Sequence, residues 1–437
     1  MTRKMKSSGI EWIGDIPEEW EVIKLKYISC FYNGFSFDSN NLVTDYIYPV
    51  IRIGDIKGDD VNFNSSLGVK DDFGLSSYLI KDNDILLAMS GATVGKVGFV
   101  EKSIKSYINQ RVGIIRTSLP HFVFYNLLTK NFMEYINIRA EGSAQPNISS
   151  KMIENFSIAY PKKDLIFEIT NRIKNKIRIV NDTVKLINNQ IENLENYKKS
   201  VMTEAVTKGL DKNVEMKDSG IEWIGEIPKK SKLVKLKYLV TKNITDGTHQ
   251  TPEYEDEEKG YPFLSSKDVT KGYIDWSDIK YITKNLHKKL QAETTVKRND
   301  ILLAKNGTTG IAAIVDTDKV FDIYVTLALI RPNTIIINPK FLMYSINSLN
   351  SKMQFDEYLV GIGVPNLHLN LIKNTYIVIH DLKIQAEIVN FLDNNCKLID
   401  DSISLKRKQL ETLEEYKKSL IYEYVTGKKE VTDGEGI

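Results

Sequence analysis

Ser8 to Pro17 reads SGIEWIGDIP, and Ser219 to Pro228 reads SGIEWIGEIP. Each stretch runs on to a KLKY element, Lys24 to Tyr27 and Lys235 to Tyr238. Further along, NDILLA at Asn83 to Ala88 returns unchanged at Asn299 to Ala304. Tyr48-Pro49 with Asp55 is matched by Tyr261-Pro262 with Asp268, and Gly142 with Pro146-Asn147 by Gly361 with Pro365-Asn366. LENYKKS (Leu194 to Ser200) answers LEEYKKS (Leu413 to Ser419). The matches keep their order and their separation only creeps upward, as small loop insertions in the second copy would produce. A series ordered in this way is a tandem duplication, and a duplicated sequence means a duplicated architecture. Between the shared blocks the copies diverge: Gly34 to Asn41 is unlike DGTHQTPEY at Asp246 to Tyr254. Loops carry binding function more often than the elements that hold them, so like scaffolds with unlike loops imply related tasks and different ligands.

Each copy divides into a globular part and a helical tail. Tyr48 to Ile53, Asp84 to Met89, Gly113 to Arg116, Phe156 to Tyr160, Ile301 to Ala304 and Tyr376 to Ile379 are dense in β-branched and apolar residues. Glycine, asparagine and aspartate punctuate them, which predicts strands. Helices are expected over Val123 to Ile138 and Lys340 to Tyr358. Each globular part is then an α+β domain of about 150 residues, an ordinary size for one core.

In the tails, apolar residues recur every three or four positions. The first carries Ile166, Ile169, Ile173, Ile177, Val180, Val184, Ile187, Ile191, Leu194 and Val201. The second carries Ile384, Ile388, Phe391, Ile399, Ile403, Leu410, Leu413, Leu420 and Tyr424. This is an a/d seam uninterrupted by proline, with glycine arriving only at Gly209 and Gly427. Helices of about 44 residues span roughly 65 Å, more than one globular domain requires, so the two seams are expected to pack on each other. Connectivity then makes them antiparallel. The predicted fold class is α+β: two mixed α/β globular domains separated by two long helices forming an antiparallel coiled coil, with pseudo-twofold symmetry. The expected boundaries are 1–160 and 211–380 for the globular domains, 161–210 and 381–427 for the helices, and 428–437 for a tail.

Composition narrows the class. The stretch from Met1 to Trp12 is polar and lacks the apolar region of a signal peptide, and no run is apolar enough to span a membrane. The two cysteines, Cys30 and Cys396, lie far apart without metal spacing, and the five histidines do not cluster. That argues against disulfides and structural zinc and fits a cytoplasmic protein. Net charge is only +2, from 59 basic and 57 acidic residues. Lysines crowd Lys229 to Lys237, and basic residues crowd Lys284 to Lys289 with Lys297 and Arg298. Such runs permit nucleic-acid binding, and equally describe solvated faces.

The openings SGIEWIGxIP…KLKY, the NDILLA strands followed by glycine turns (Ser90-Gly91, Asn306-Gly307), the Gly…Pro-Asn segments and the LExYKKS helices together resemble the DNA-specificity subunit of type I restriction-modification enzymes. The resemblance runs from Ser8 to about Lys428. It implies that each globular part is a target-recognition domain for one half of a bipartite site in double-stranded DNA. It implies that the helices set the spacing between the halves and dock two methylation (M) subunits, with motor-nuclease (R) subunits joining to cut unmodified DNA. S-adenosylmethionine, ATP and Mg2+ would then be held by those partner subunits and none by this chain. The repeated LExYKKS places Tyr197, Lys198, Tyr416 and Lys417 on the docking surface. Two positions depart from the pattern: Ile166 stands opposite Gln385, which keeps the family's glutamine, and Ser231 stands opposite Trp20.

Catalysis is not encoded. SGATVGKV (Ser90 to Val97) has serine for the first glycine of a phosphate loop and valine for its Ser/Thr. No Pro-Pro pair exists for an adenine-methyltransferase motif, and the E-x-K triplets Glu257 to Lys259 and Glu415 to Lys417 stand without an acidic cluster. Binding chemistry is better represented. The turns with Ser90, Gly91, Thr93 and Lys96, and with Lys305, Asn306, Gly307, Thr308 and Thr309, would offer N–H groups and short polar side chains to phosphates. A plain β-turn is the alternative. Arg52 can read a guanine edge, and Gln145 or Asn147 an adenine. The second copy would use Ser265, Ser266 and Lys267, with His249 and Gln250 in the DGTHQTP loop, while Asn366 parallels Asn147. Both asparagines could equally be turn residues after proline. Trp12 and Trp223 lie in the shared scaffold, where core packing is expected.

Overall fold

Asn83 and Asn299, the first residues of the two NDILLA runs, have left-handed backbones with φ of 67° and 71°. Asparagine is among the few residues with a side chain that adopt this conformation readily. The computed structural model describes residues 3–72, 74–140, 147–358 and 366–431. Gln145 and the prolines at 146 and 365 lie outside them. After the turn, the buried Asp84 and Asp300 carboxylates accept the backbone N–H of Lys81 and Lys297 at 2.8 Å. Each also takes a two-pronged guanidinium: Arg116 at 2.8 and 3.0 Å, Arg331 at 2.7 and 2.6 Å. The strands Ile85–Ala88 and Ile301–Ala304 that follow are wholly buried. NDILLA is thus a turn, an ion-pair anchor and a central strand, which explains why all six residues survive in both copies.

The chain folds as two compact units, Met1–Ile187 with Lys408–Ile437, and Asn188–Arg407. In unit 1 the central sheet runs Ser29–Asn33, Val112–Thr117, Ile85–Ala88 and Val97–Phe99, all antiparallel, and is extended by Asp60–Val61 and Ile56–Lys57. Unit 2 repeats the antiparallel core as Thr245–Asp246, Leu327–Ile330, Ile301–Ala304 and Ala312–Ile314. A second sheet in each unit contains one parallel pairing, Tyr107–Ile108 on Val50–Ile51 and Asp322–Ile323 on Phe263–Leu264. A two-stranded ribbon, Glu21–Lys24 with Ser157–Tyr160 or Lys232–Lys235 with Tyr376–Ile379, joins each globular part to its long helix.

Two expectations need correction. The helices foreseen over Val123 to Ile138 and Lys340 to Tyr358 are each two: Pro120–Leu127 and Lys130–Ala140, Pro339–Ile346 and Leu349–Tyr358. Short polar side chains take the carbonyls that continued helix would use. Thr129 donates to Asn126 O at 2.6 Å and Ser348 to Ser345 O at 2.7 Å, while the Asn347 amide ties both backbone groups of Ala312 at 2.8 Å. The basic run from Lys284 forms the solvated face of an amphipathic helix, Lys284–Glu293, capped by Thr283 and seated on Leu290. Finally, the separation of the copies does not only grow. The turn bonded from Ala88 N to Lys96 O corresponds to one from Ala304 N to Ile311 O, one residue shorter.

The long helices run Lys163–Lys208 and Leu382–Val425 and end at left-handed Gly209 and Gly427. Within unit 1, Ile166, Ile169 and Ile173 share a core with Trp20, Leu420, Ile421, Tyr424 and Val425. Within unit 2, Met202, Ala205 and Val206 share one with Ile388, Val389, Leu392 and Cys396. Lys198 bonds Asp400 at 2.6 Å and Lys406 bonds Gln190 at 2.6 Å, so in this unit the two helical segments run antiparallel.

Both departures from the family pattern have physical reasons. Ile166 is buried in the unit 1 core, whereas Gln385 is fully buried and fully bonded. Its Oε1 accepts from Asn338 N at 2.7 Å, and its Nε2 donates to His380 O at 2.7 Å and Ile336 O at 3.2 Å. In place of Trp20, unit 2 holds the buried pair Ser231 and His380, 2.8 Å apart, with His380 Nε2 donating to Val206 O at 2.9 Å. Burial holds this imidazole below its ordinary value of 6.5, opposed by the Val206 carbonyl. The unfolded chain therefore binds the proton more readily. The stabilising contribution of neutral His380 is complete above the unfolded value and is lost as pH falls through the folded one. Urea unfolding of the full chain should show unit 2 less stable at about pH 5.5 than at about pH 7.5, and His380→Asn should flatten that difference. An unchanged pH dependence in the variant would contradict this.

Candidate nucleic-acid interface

In unit 1 the turn after Ala88 carries Gly91 and Gly95, both at φ 82°. Ser90 pairs with Asn147 in an isolated antiparallel bridge, and Ile148 N bonds Met89 O at 3.0 Å. The turn also approaches Ile53, the residue after Arg52: a Cβ on Gly91 would lie 3.5 Å from Ile53 Cδ1. Arg52 itself begins a single 3₁₀ turn: its N–H donates to Asp55 Oδ2 at 2.9 Å, and its guanidinium bonds Ser66 Oγ. Buried side-chain polar atoms without a hydrogen-bond partner are few among the described residues. Apart from three tryptophan nitrogens they are Arg52 Nε, Ser90 Oγ and Thr93 Oγ1. Unmet polar groups are costly when buried, so they concentrate where a ligand can meet them. Three of the residues singled out in the sequence thus each keep one unpartnered buried polar atom, two in this turn and one on the segment it approaches. Lys96 is half-buried beside them.

Unit 2 uses the same frame with different chemistry. Ser265 takes the place of Arg52, donating to Asp268 through its backbone at 2.7 Å and its hydroxyl at 3.0 Å. Burial pushes the Asp268 carboxyl above the usual carboxylate range, against those bonds. Ser266 N bonds Thr326 Oγ1 at 3.0 Å, and Lys267 bonds Asp278 at 3.0 Å. Asn306 bridges Asn366 as Ser90 bridges Asn147, and Gly307 has φ 74°. Thr308 is exposed and Thr309 half-buried. His249 is exposed, 3.4 Å from Asp246, and Gln250 accepts from Lys289 at 3.1 Å.

Several expectations change on contact with this geometry. Lys305 does not face solvent: it is buried, with Nζ 2.6 Å from Asp246 Oδ2. The turn N–H groups of Val94, Gly95, Lys96, Thr309 and Gly310 bond carbonyls of their own turns or flanking strands, leaving them unavailable for phosphates. The loops read as unlike begin on the same residue. A Cβ on Gly34 would lie 2.0 Å from Asn109 O, and one on Gly247 2.0 Å from Ile323 O. Only glycine fits such an approach. Lys198 and Lys417 are tied to Asp400 and Asp59 within their own units, whereas Tyr197 and Tyr416 are exposed. In unit 2, Tyr197 lines a groove with Val201, Leu210, Met216 and Phe391. Exposed leucine or isoleucine recurs at equivalent positions, Ile179 and Leu186 in unit 1, Leu398 and Leu405 in unit 2. Seven residues apart on a helix, each pair faces one side.

Sequence reasoning missed Arg111. It is exposed, and its carbonyl accepts the N–H of Met89, the residue that opens the unit 1 turn. Its counterpart in the ladder is Thr326, whose carbonyl accepts from Lys305 N at 2.9 Å. No repeat marks this position, so pairing with the turn is the only signal. Asp246 was missed as an anchor, although Asp246-Gly247 answers Asn33-Gly34. Trp12 and Trp223 pack on apolar neighbours, Trp12 against Tyr135 with centroids 5.3 Å apart.

Among the described residues no cluster of His, Cys, Asp and Glu is arranged to hold a metal, and no helix is long and apolar enough to cross a membrane. The type I restriction modification DNA specificity domain matches residues 17–193 and again 228–415. The chain is 26% identical over 424 residues to the type I restriction enzyme MjaVIII specificity subunit of Methanocaldococcus jannaschii, covering 94% of this chain and 93% of that one. It is 29% identical over 437 residues to the putative MjaX specificity subunit of the same organism, covering 95% of each. A chain solved in a study of the assembly and conformational transition of the type I R-M system superposes with a TM-score of 0.67 at 14% identity, covering 95% of this chain and 99% of that one.

Proposed function

The chain belongs to the family of type I restriction modification DNA specificity domains, and from that premise we propose that it reads an asymmetric, two-part DNA site, one half per unit, and directs adenine methylation or cleavage by its partner subunits. Sequence-specific DNA recognition in a type I restriction-modification system is the family's task, and the chain is its non-catalytic recognition subunit. The observation that carries the two-part reading is the exchange of side chains on an unchanged frame. Where unit 1 places Arg52 and Ser90, unit 2 places Ser265 and Asn306, and the loops beginning at Gly34 and Gly247 differ throughout. One frame with two chemistries suits two half-sites of different sequence.

The remaining assignments belong to the same proposal. Two methylation subunits dock on the exposed apolar positions of the long helices, Tyr197, Leu398 and Leu405 in unit 2 and Tyr416, Ile179 and Leu186 in unit 1. Motor-nuclease subunits complete the complex, which works in the cytoplasm. S-adenosylmethionine, ATP and Mg2+ are bound by those subunits. The modest net charge of +2 is compatible with DNA binding, because the partners share the phosphate contacts.

Arg52 and Arg111 test the reading. In a complex with its methylation subunit, Arg52→Ala should lower discrimination at a single position of the first half-site by about tenfold and leave the second half untouched. Arg111→Ala should weaken binding to all sequences alike if it meets phosphate, with a salt dependence reduced by roughly one unit of slope. Unchanged discrimination in Arg52→Ala would remove Arg52 from the interface.

A further inference from the structure

Lys305 and Asp246 form a buried ion pair that the reading of half-sites does not by itself require. The Lys305 side chain is 8% exposed and that of Asp246 15%, and Nζ lies 2.6 Å from Asp246 Oδ2. Asp246 ends the edge strand of the unit 2 sheet, and the residue after it is the glycine from which the DGTHQTP loop departs. The other carboxylate oxygen, Oδ1, is 3.4 Å from His249 Nε2. One residue on, Gln250 accepts from Lys289 of the helix Lys284–Glu293, and its own N–H donates to Thr248 Oγ1 at 3.1 Å. The helix is fixed in turn: His287 lies 2.6 Å from the buried Asp322, and Gln291 donates to the same carboxylate at 2.8 Å. The loop is therefore held from two sides, through Asp246 at its base and through Lys289 at its tip.

Unit 1 lacks this ion pair. The position of Lys305, one past the buried strand, is Met89, and the position of Asp246, one before the close-packed glycine, is Asn33. The fold therefore stands without a charge at either place. A buried ion pair is seldom retained for stability, since apolar residues serve as well, whereas removing one partner leaves a costly unpaired charge.

We propose that Lys305 is a positioning residue of the second half-site reader, acting through Asp246 to fix His249 and Gln250 in the orientation that meets the bases. It does not touch DNA. The ammonium neutralises Asp246 and pins its rotamer, so Oδ1 is presented to His249, and the loop enters the complex already ordered. Ordering before binding is what converts a flexible polar loop into a discriminating one. This proposal rests on the reading of unit 2 as a DNA-sequence reader.

The test compares three forms of the full chain, each purified with its methylation subunit: wild type, Lys305→Met, and Lys305→Met with Asp246→Asn. The double variant installs the residues unit 1 carries at these places. Each is measured for thermal unfolding and for binding to duplexes altered in one half-site at a time. The single variant should unfold at lower temperature, because the partly buried Asp246 carboxylate loses its ammonium partner. The double variant should recover most of that loss and yet discriminate second-half substitutions about tenfold less well, with the first half unaffected. Full discrimination in the double variant would make the pair merely structural and overturn the proposal. A uniform loss of affinity with a shallower salt dependence and intact discrimination in Lys305→Met would also overturn it, by making Lys305 a phosphate contact. Failure of the parent reading looks different: the wild-type complex itself would then show no preference for any second-half sequence.

Discussion

Replacing residues 30–150 with the same stretch of a relative that has another target is expected to change one half of the methylated motif completely and leave the other half as it was. The exchanged span contains Arg52, Ser90, Gly91, Thr93, Lys96, Arg111 and Asn147, all the described unit 1 candidates. It leaves outside the ribbon Glu21–Lys24 with Ser157–Tyr160 and the core that Trp20 makes with the long-helix residues Ile166 and Tyr424. The core itself crosses the cut, since Ile85, Phe122 and Phe132 pack in one cluster with Trp20, Ile158 and Ile166, so the relative has to be one that keeps these apolar positions. The buried ion pair Asp84–Arg116 moves as a whole within the span, whereas Lys417 stays behind and keeps its partner only where the relative also has an acidic residue at Asp59. Single-molecule methylome sequencing reads the outcome, and a change in both halves, or in neither, would contradict the assignment of one half to each unit.

Arg331→Met is expected to cost unit 2 about 3–5 kcal/mol, the usual penalty for leaving a buried carboxylate unpaired. Asp300 is 2% exposed on its side chain, at the head of the central strand, and Arg331 holds both its oxygens. Since whole domains are stable by only about 5–15 kcal/mol, the loss approaches the total. Urea unfolding of the full chain would measure it. Adding Asp300→Asn should return part of the stability, because a neutral amide costs less to bury than a carboxylate. A loss under about 1 kcal/mol in the single variant would show that water reaches Asp300 and that the pair is not an anchor.

The architecture was legible in the sequence where its signals are local. The a/d seam from Ile166 to Val201 and the glycines at 209 and 427 fixed the long helices to within a residue or two. NDILLA, repeated without change, marked the central strand, and its Asn and Asp owe their persistence to the left-handed turn and the arginine pair. What escaped depends on residues distant along the chain. The break after Ile346 needs Asn347 to find Ala312, and nothing local announces that meeting. The helix Lys284–Glu293 was read as charge because its lysines outnumber the leucines, Leu286 and Leu290, that seat it. At the interface the limit was sharper. Arg52, Ser90, Thr93 and Asn147 were singled out by residue type; Ser90 does pair with Asn147, and the turn that carries Ser90 and Thr93 approaches Ile53, next to Arg52. Lys305 was identified by type as well, but as a free cation, because its partner Asp246 lies in a loop that looked unrelated. A lysine's role depends on what faces it, which is decided by the fold.

The central claim is that two unlike readers on one repeated frame define a single two-part target. Methylome sequencing of cells with and without this gene, the methylation subunit being present in both, tests it most directly. One gapped motif with two different halves should be methylated only when the gene is present. Loss of no motif, or of an uninterrupted one, would contradict the account.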